Sequence, residues 1–186
     1  DIRYAISTLN MSPYVASLTT ISTPHHGSLT VDRLLKLPEF LIRLAAGCSD
    51  FWLRLCGDKN PKAYEVFQTF TTYAAEEFNR RNPDAPGVYY QSYAFVMKHA
   101  WSDIFMLVPS AVVGFLEGPN DGLLTPRAAE WGDFRGIVTG SSDRGISHCD
   151  EVDMRRKRLT GRQGDGIRDI TDFYVSVVRE LSGKGF

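Results

Sequence analysis

Apolar positions along the chain alternate between helical spacing and short, nearly continuous runs. Ile2, Ala5, Ile6 and Leu9 share one face of a helix over Asp1–Asn10, so the chain opens inside an element. A turn at Ser12-Pro13 follows. Tyr14–Ile21 (YVASLTTI) is β-branched and almost unbroken in its apolar character, which predicts a strand buried on both faces. That strand runs into Ser22-Thr23-Pro24-His25-His26-Gly27-Ser28, a loop of small and polar residues at a strand end, where open α/β sheets collect their ligands.

Leu29–Gly57 alternates short amphipathic pieces interrupted at Pro38 and Gly47, with more large apolar side chains than a surface needs. Tyr64, Phe67, Phe70, Ala74 and Phe78 stand near helical spacing and predict one longer helix over Lys62–Arg81. It ends before Asn82-Pro83-Asp84-Ala85-Pro86-Gly87, and Val88–Met97 (VYYQSYAFVM) is the second predicted strand. Trp101–Leu116 is apolar, but Pro109 and Gly114 weaken any single long helix there. Gly118-Pro119-Asn120-Asp121-Gly122 is a dense turn signal, Gly136–Thr139 a third short strand, and Ile167–Leu181 a closing helix begun by Asp165-Gly166. Strands separated by helices, with no repeat and no linker, predict one α/β domain with a mostly parallel sheet.

Composition removes several function classes. The 186 residues carry 21 Lys+Arg against 22 Asp+Glu, a net charge of -1, which leaves no basic excess for a nucleic-acid partner. The run Arg155-Arg156-Lys157-Arg158 reads as a solvated patch. Phe40–Leu55 and Ile104–Leu116 are the longest apolar-rich stretches; both are interrupted and shorter than the roughly 20 residues of a spanning helix, so no transmembrane segment is predicted. Cys48, Cys56 and Cys149 are too few for a disulfide framework, although one Cys48–Cys56 bridge is open. The compartment, secreted or cytoplasmic, stays open, because any leader would lie upstream of Asp1.

The strongest candidate chemistry is Asp121, in the turn PNDG, with His148 in a Gly/Ser/Asp-rich loop after the third strand. Two such residues at neighbouring strand ends can meet. A carboxylate on imidazole Nδ1 fixes the tautomer and stabilises the imidazolium, leaving Nε2 to take a proton from a nucleophile. The competing reading is an Asx-turn aspartate and a surface histidine. His25 and His26 are adjacent and point in different directions, without an HxH or HExxH partner, which disfavours a metal site. They and Ser28 are better placed as pocket-lining residues. No G-x-S-x-G occurs in the chain, so it holds an acid and a base without an attacking group.

At these residues the chain resembles the triacylglycerol lipases of the α/β-hydrolase superfamily. Ser17–Ser28, SLTTISTPHHGS, is similar to the family's SLTTIxTPHRGS strand and loop and is the most specific match. Asp1–Ser7 resembles the helix that follows the family's G-H-S-x-G-G-L nucleophile elbow. Phe78–Tyr90 resembles the helix-to-strand passage, Glu117–Leu123 (EGPNDGL) the turn of the catalytic acid, and Ser147–Val152 (SHCDEV) the segment of the catalytic histidine. The order Ser, Asp, His is that of α/β-hydrolases, and the separation of 27 positions from Asp121 to His148 leaves room for the intervening strand.

The resemblance implies the C-terminal part of an α/β-hydrolase fold over residues 1–186: a mostly parallel sheet, flanking helices and a helical lid insertion over residues 29–60. It implies ester hydrolysis by Asp121 and His148, with substrate contacts at His25, His26 and Ser28. The serine nucleophile would lie upstream of Asp1, in an N-terminal half that this chain needs as its partner, and the chain alone would be inactive. Substrate and partner would be an acylglycerol or other acyl ester and a lipid interface. No organic cofactor is needed; a structural calcium is implied at Asp150, two residues after the histidine. The rival readings are an esterase or thioesterase acting on soluble acyl substrates, and a non-catalytic lipase-like domain that binds acyl chains or a protein.

Overall fold

The computed structural model describes residues 2–55, 57–140, 143–154 and 167–186. The basic run at 155–158, the Asp165-Gly166 helix start and the partner of any Cys48–Cys56 bridge lie outside the described residues. Three strands form one parallel sheet in the order β1 (Ser17–Ile21), β2 (Tyr89–Phe95), β3 (Asp133–Val138). Ser17 pairs with Tyr89 and Ile21 with Tyr93 across the first ladder. On the other side Ser92 pairs with Phe134 but Ala94 with Ile137, so β3 carries one extra residue; Gly136, at φ +95°, absorbs it.

The strand buried on both faces is β2 and not, as the pattern predicts, the first one. β2 is central and buried from Tyr90 to Phe95, whereas β1 lies at a sheet edge with each residue half-buried. Ser12–Tyr14 is a 3₁₀ turn, so β1 begins later than the apolar run. Helix α9 (Ile170–Gly183) covers one face: Phe173 meets Tyr93 and Phe95 edge-on at ring separations of 5.0 and 5.2 Å, and Ile146, Ile170 and Val177 complete the cluster. Truncating a ring as buried as Phe173 costs about 3–5 kcal/mol.

Helix α1 (Ile2–Ser7) packs through Ile6 and Arg3, both buried. The Arg3 guanidinium lies 3.7 Å over the Trp131 ring and donates to Asn79 Oδ1 (2.6 Å) and the Asn82 carbonyl (3.1 Å). One buried arginine thereby joins α1, the end of the 72–81 helix and the segment just before β3.

Between β1 and β2 run α2 (Leu29–Leu34), α3 (Glu39–Leu55), α4 (Ala63–Thr69) and α5 (Thr72–Arg81). The single helix predicted over Lys62–Arg81 is two. Thr71 has an extended backbone and caps α5 by accepting from Ala74 N. Asp32 accepts from both Thr72 N and Thr72 Oγ1, and the 27–28 loop enters the gap, with Ser28 N donating to Phe70 O. Tertiary partners thus satisfy the groups that the break exposes. Trp101–Leu116 divides similarly into a 3₁₀ turn (Ala100–Ser102) and α6 (Leu107–Leu116), with Pro109 in the first helical turn, where no N–H is needed. The chain continues through α7 (Pro126–Ala129), β3 and α8 (His148–Glu151). Among the described residues no helix is long and apolar enough to cross a membrane.

Candidate active site

Asp121 and His148 meet beyond the carboxyl ends of β2 and β3. Asp121 Oδ2 lies 2.9 Å from His148 Nδ1. Being an acceptor, the carboxylate sets the tautomer: Nδ1 carries the hydrogen and Nε2 is the free base. Asp121 is fully buried and its other oxygen accepts from Leu123 N (2.9 Å) and Leu124 N (2.8 Å) in an Asx-type turn. His148 N donates to the Asp121 carbonyl at 2.8 Å, so backbone and side chain fix the pair together. One carboxylate oxygen thus serves the turn and the other meets the imidazole.

Burial pushes the Asp121 carboxyl up, but the bond and charge of His148 and the two turn N–H groups outweigh it and hold it below the ordinary carboxylate value. The His148 side chain is about one-third exposed, and among the described residues Nε2 has no hydrogen-bond partner. The arrangement can accept a proton at Nε2 and stabilise the resulting imidazolium from behind.

Two further residues complete the dyad's surroundings, and sequence reasoning did not assign them. Glu151 is buried, with Oε2 3.5 Å from His148 Nδ1, and it accepts from Ser22 Oγ at 2.7 Å through Oε1. Desolvation, with the charge of Asp121 and a hydrogen bond to it, pushes the Glu151 carboxyl up to about 10. It is therefore a neutral acid beside Asp121, and the site carries one negative charge instead of two. Ser22 stands at the end of β1 with φ +39°, a sparsely populated conformation for serine, held by Ser22 N donating to Tyr93 O. The i,i+3 spacing of His148 and Glu151 on one helical turn was a usable signal for the first; nothing in the sequence pointed to the second.

The loop after β1 is divided between packing and cleft. His25 is buried, its Nε2 2.9 Å from Thr20 Oγ1 and its ring stacked on Trp131 at 5.2 Å. Desolvation, then the charge of Arg3, lowers its pKa to about 3, so it is neutral. Ser28 caps α2 by accepting from Val31 N, and donates to Glu117 Oε1 at 3.1 Å. His26 lines a cleft of about 460 Å³ with Leu29, Thr125, Arg127 and Glu117 among its walls.

Asp150 is the third residue of a capping box: its Oδ2 accepts from Ser147 N (3.0 Å), while Ser147 Oγ accepts from Asp150 N. The same oxygen receives the Arg144 guanidinium at 2.6 Å. Among the described residues, the group whose ligand atoms lie close enough to share an ion is Asp121, His148 and Glu151, of which the first two are hydrogen-bonded to each other.

No protein-family model matches the chain. Its sequence is 32% identical over 196 positions to triacylglycerol lipase 2 of Saccharomyces cerevisiae; the match takes in all of this chain and 55% of the yeast protein. The chain thus spans about half the length of that relative. Among solved structures, a Bacillus licheniformis lipase in its mature form is similar at a TM-score of 0.48 and 20% identity, covering 86% of this chain and 60% of that one. The propeptide form of the same lipase gives 0.45 at 20% identity, covering 88% and 34%. Over its whole length the chain is therefore similar to a triacylglycerol lipase, the kind of protein its motifs resemble.

Proposed function

From that relationship we propose that the chain is the acid-and-base part of a carboxylic-ester hydrolase, a lipase acting on acylglycerols. The observation that carries the reading is the pair itself: a buried carboxylate on Nδ1, and an Nε2 on a one-third exposed side chain with no hydrogen-bond partner among the described residues. The nucleophile is a serine on a segment preceding α1, and residues 1–186 without it have no esterase activity. His148 Nε2 takes the serine hydroxyl proton as Oγ attacks the ester carbonyl, and the imidazolium, held by Asp121, then protonates the leaving alkoxide. Water repeats the cycle on the acyl-enzyme: His148 removes its proton, the acyl–serine bond breaks, and the proton returns to serine. Oxyanion donors come from the same preceding part of the protein.

Residues 29–60 form the lid. Phe40, Leu44 and Phe51 fall within a narrow arc of α3 and are 68%, 65% and 63% exposed, while Ile42 and Ala46 on the opposite arc are buried. A helix apolar on both sides has one side for the protein and one for something else, and a lipid interface fits the second. This favours lipid esters over soluble ones. Val108 and Phe115 of α6, 70% and 88% exposed, belong to the acyl-binding wall, and the 25–28 loop, with His25, His26 and Ser28, borders the substrate through His26 at the cleft.

The test uses the protein at its full natural length. Hydrolysis of a tributyrin emulsion and of a short soluble ester is compared for the native protein, Asp121→Ala and His148→Ala. Loss of both activities in both variants, with a jump in native activity once the substrate forms droplets, is the expected result. Native activity that survives His148→Ala refutes the assignment of the base.

A further inference from the structure

The turn that carries Asp121 is fastened to α6 by the residue before it. Asn120 is 4% exposed, and both ends of its side-chain amide are bonded. Nδ2 donates to the Gly118 carbonyl at 2.9 Å and to the Ser110 carbonyl at 3.2 Å, while Oδ1 accepts from Gly122 N at 2.9 Å. Two carbonyls on one side and an N–H on the other leave the amide a single orientation. The bonds to Gly118 and Gly122 shape the turn. The bond to Ser110, ten residues back, ties it to the middle of α6. A packing contact joins the same two pieces: Gly122 has φ +118°, and a Cβ there would stand 2.7 Å from Cβ and Cγ of Met106, the residue that opens α6. Asp121 therefore has a neighbour fixed to α6 on each side.

We propose that Asn120 is a positioning residue for the acid, setting Asp121 against His148 by reference to α6, the helix that borders the acyl chain. This role rests on the reading of Asp121 and His148 as acid and base. Asp121 Oδ1 is held inside its own turn by Leu123 N and Leu124 N, so when the turn moves as a body the carboxylate moves with it. Local bonds keep the turn's shape, and its place needs anchors outside it. Met97 N, donating to the Asn120 carbonyl, and His148 N, donating to the Asp121 carbonyl, hold the backbone at two points. Two points leave rotation about the line between them, and the Ser110 bond supplies a third. Such a rotation would change the 2.9 Å contact of Asp121 Oδ2 with His148 Nδ1. Val108 and Phe115, on the outward face of α6, thus belong to the same rigid piece as the acid.

The test uses the protein at its full natural length. Asn120→Ser keeps a hydroxyl that can accept from Gly122 N and is too short to reach Ser110, so it removes the tie to α6 and spares the turn. On a short soluble ester, well below the melting temperature, kcat is expected to fall by about 10- to 100-fold while KM stays within about twofold, because misplacement of the acid falls on the transition state. The second reading is spectroscopic. The Nδ1 proton of His148, bonded to Asp121, resonates far downfield in the proton NMR spectrum and is identified by its absence from His148→Ala. In Asn120→Ser it is expected to move upfield or to broaden away. A side chain that only stabilises the fold would lower Tm and leave kcat per folded molecule and this resonance as they are; either one unchanged in a folded variant overturns the proposal. Asn120→Asp keeps the size of the side chain and the acceptor for Gly122 N, but turns an oxygen toward the Ser110 and Gly118 carbonyls. The same losses are expected from it, and if Asn120→Ser does not fold, this variant decides by the same two readings. Absence of hydrolysis in every sample, the native protein included, would remove the hydrolase reading, and the resonance would still decide whether Asn120 holds Asp121 on His148.

Discussion

Glu151 offers the sharpest quantitative test of the site's electrostatics. Its carboxyl is raised from 4.5 to about 10 by burial, first, and by the neighbouring Asp121 charge. A folded-state value above the unfolded one means that folding takes up a proton. The corresponding stability is fully present below pH 4.5 and is lost as the pH climbs toward 10. The slope is about 1.4 kcal/mol per pH unit, so by pH 7 the proton uptake costs about 3 kcal/mol. Glu151→Gln holds the same shape without the titrating proton, and its amide oxygen can still accept from Ser22 Oγ. Urea denaturation from pH 5 to pH 9 should find the variant close to the native protein at pH 5 and about 3 kcal/mol more stable at pH 7, the gap widening with pH. Ester hydrolysis at neutral pH should survive the change. A stability difference that stays constant over this range, or a variant less stable than the native protein at pH 8, would refute a protonated Glu151.

The other expectations are briefer. Asp121→Asn should lower kcat by about three to four orders of magnitude with little change in KM, because Nδ1 loses its anionic partner. Asp121 should add acid sensitivity of the opposite sign to Glu151: its lowered carboxyl stabilises the fold above its ordinary value of 3.8 and loses that contribution as pH falls further, so a melting series below pH 4 should steepen in the native protein relative to Asp121→Asn. Gly145→Ala should cost more than about 2 kcal/mol in urea denaturation, since Gly145 sits at φ +72° and a Cβ there would be 2.3 Å from the Val96 carbonyl. Arg3→Ala should cost about 2–4 kcal/mol by removing the cation from Trp131 and from the Asn79 and Asn82 oxygens.

Much of the site was legible in the sequence because its signals are local. A dense turn holds Asp121, a capping sequence holds His148, and the SLTTI strand leads into its polar loop; each is set by backbone preferences within a few residues. The α/β order of elements, the parallel sheet and the pairing of Asp121 with His148 follow from those signals together with the motif order. What needed the tertiary structure is everything set by neighbours distant in sequence. The division of Lys62–Arg81 into two helices depends on Asp32 and the 27–28 loop filling the break, and the burial of β2 in place of β1 depends on strand order. His25 sits beneath the loop because Arg3 and Trp131 surround it. Glu151 is neutral and Asp150 is claimed by Arg144 for the same reason: a carboxyl's ionisation and its partner depend on the dielectric and the charges that folding brings within a few ångströms, and no periodicity along the chain records those distances.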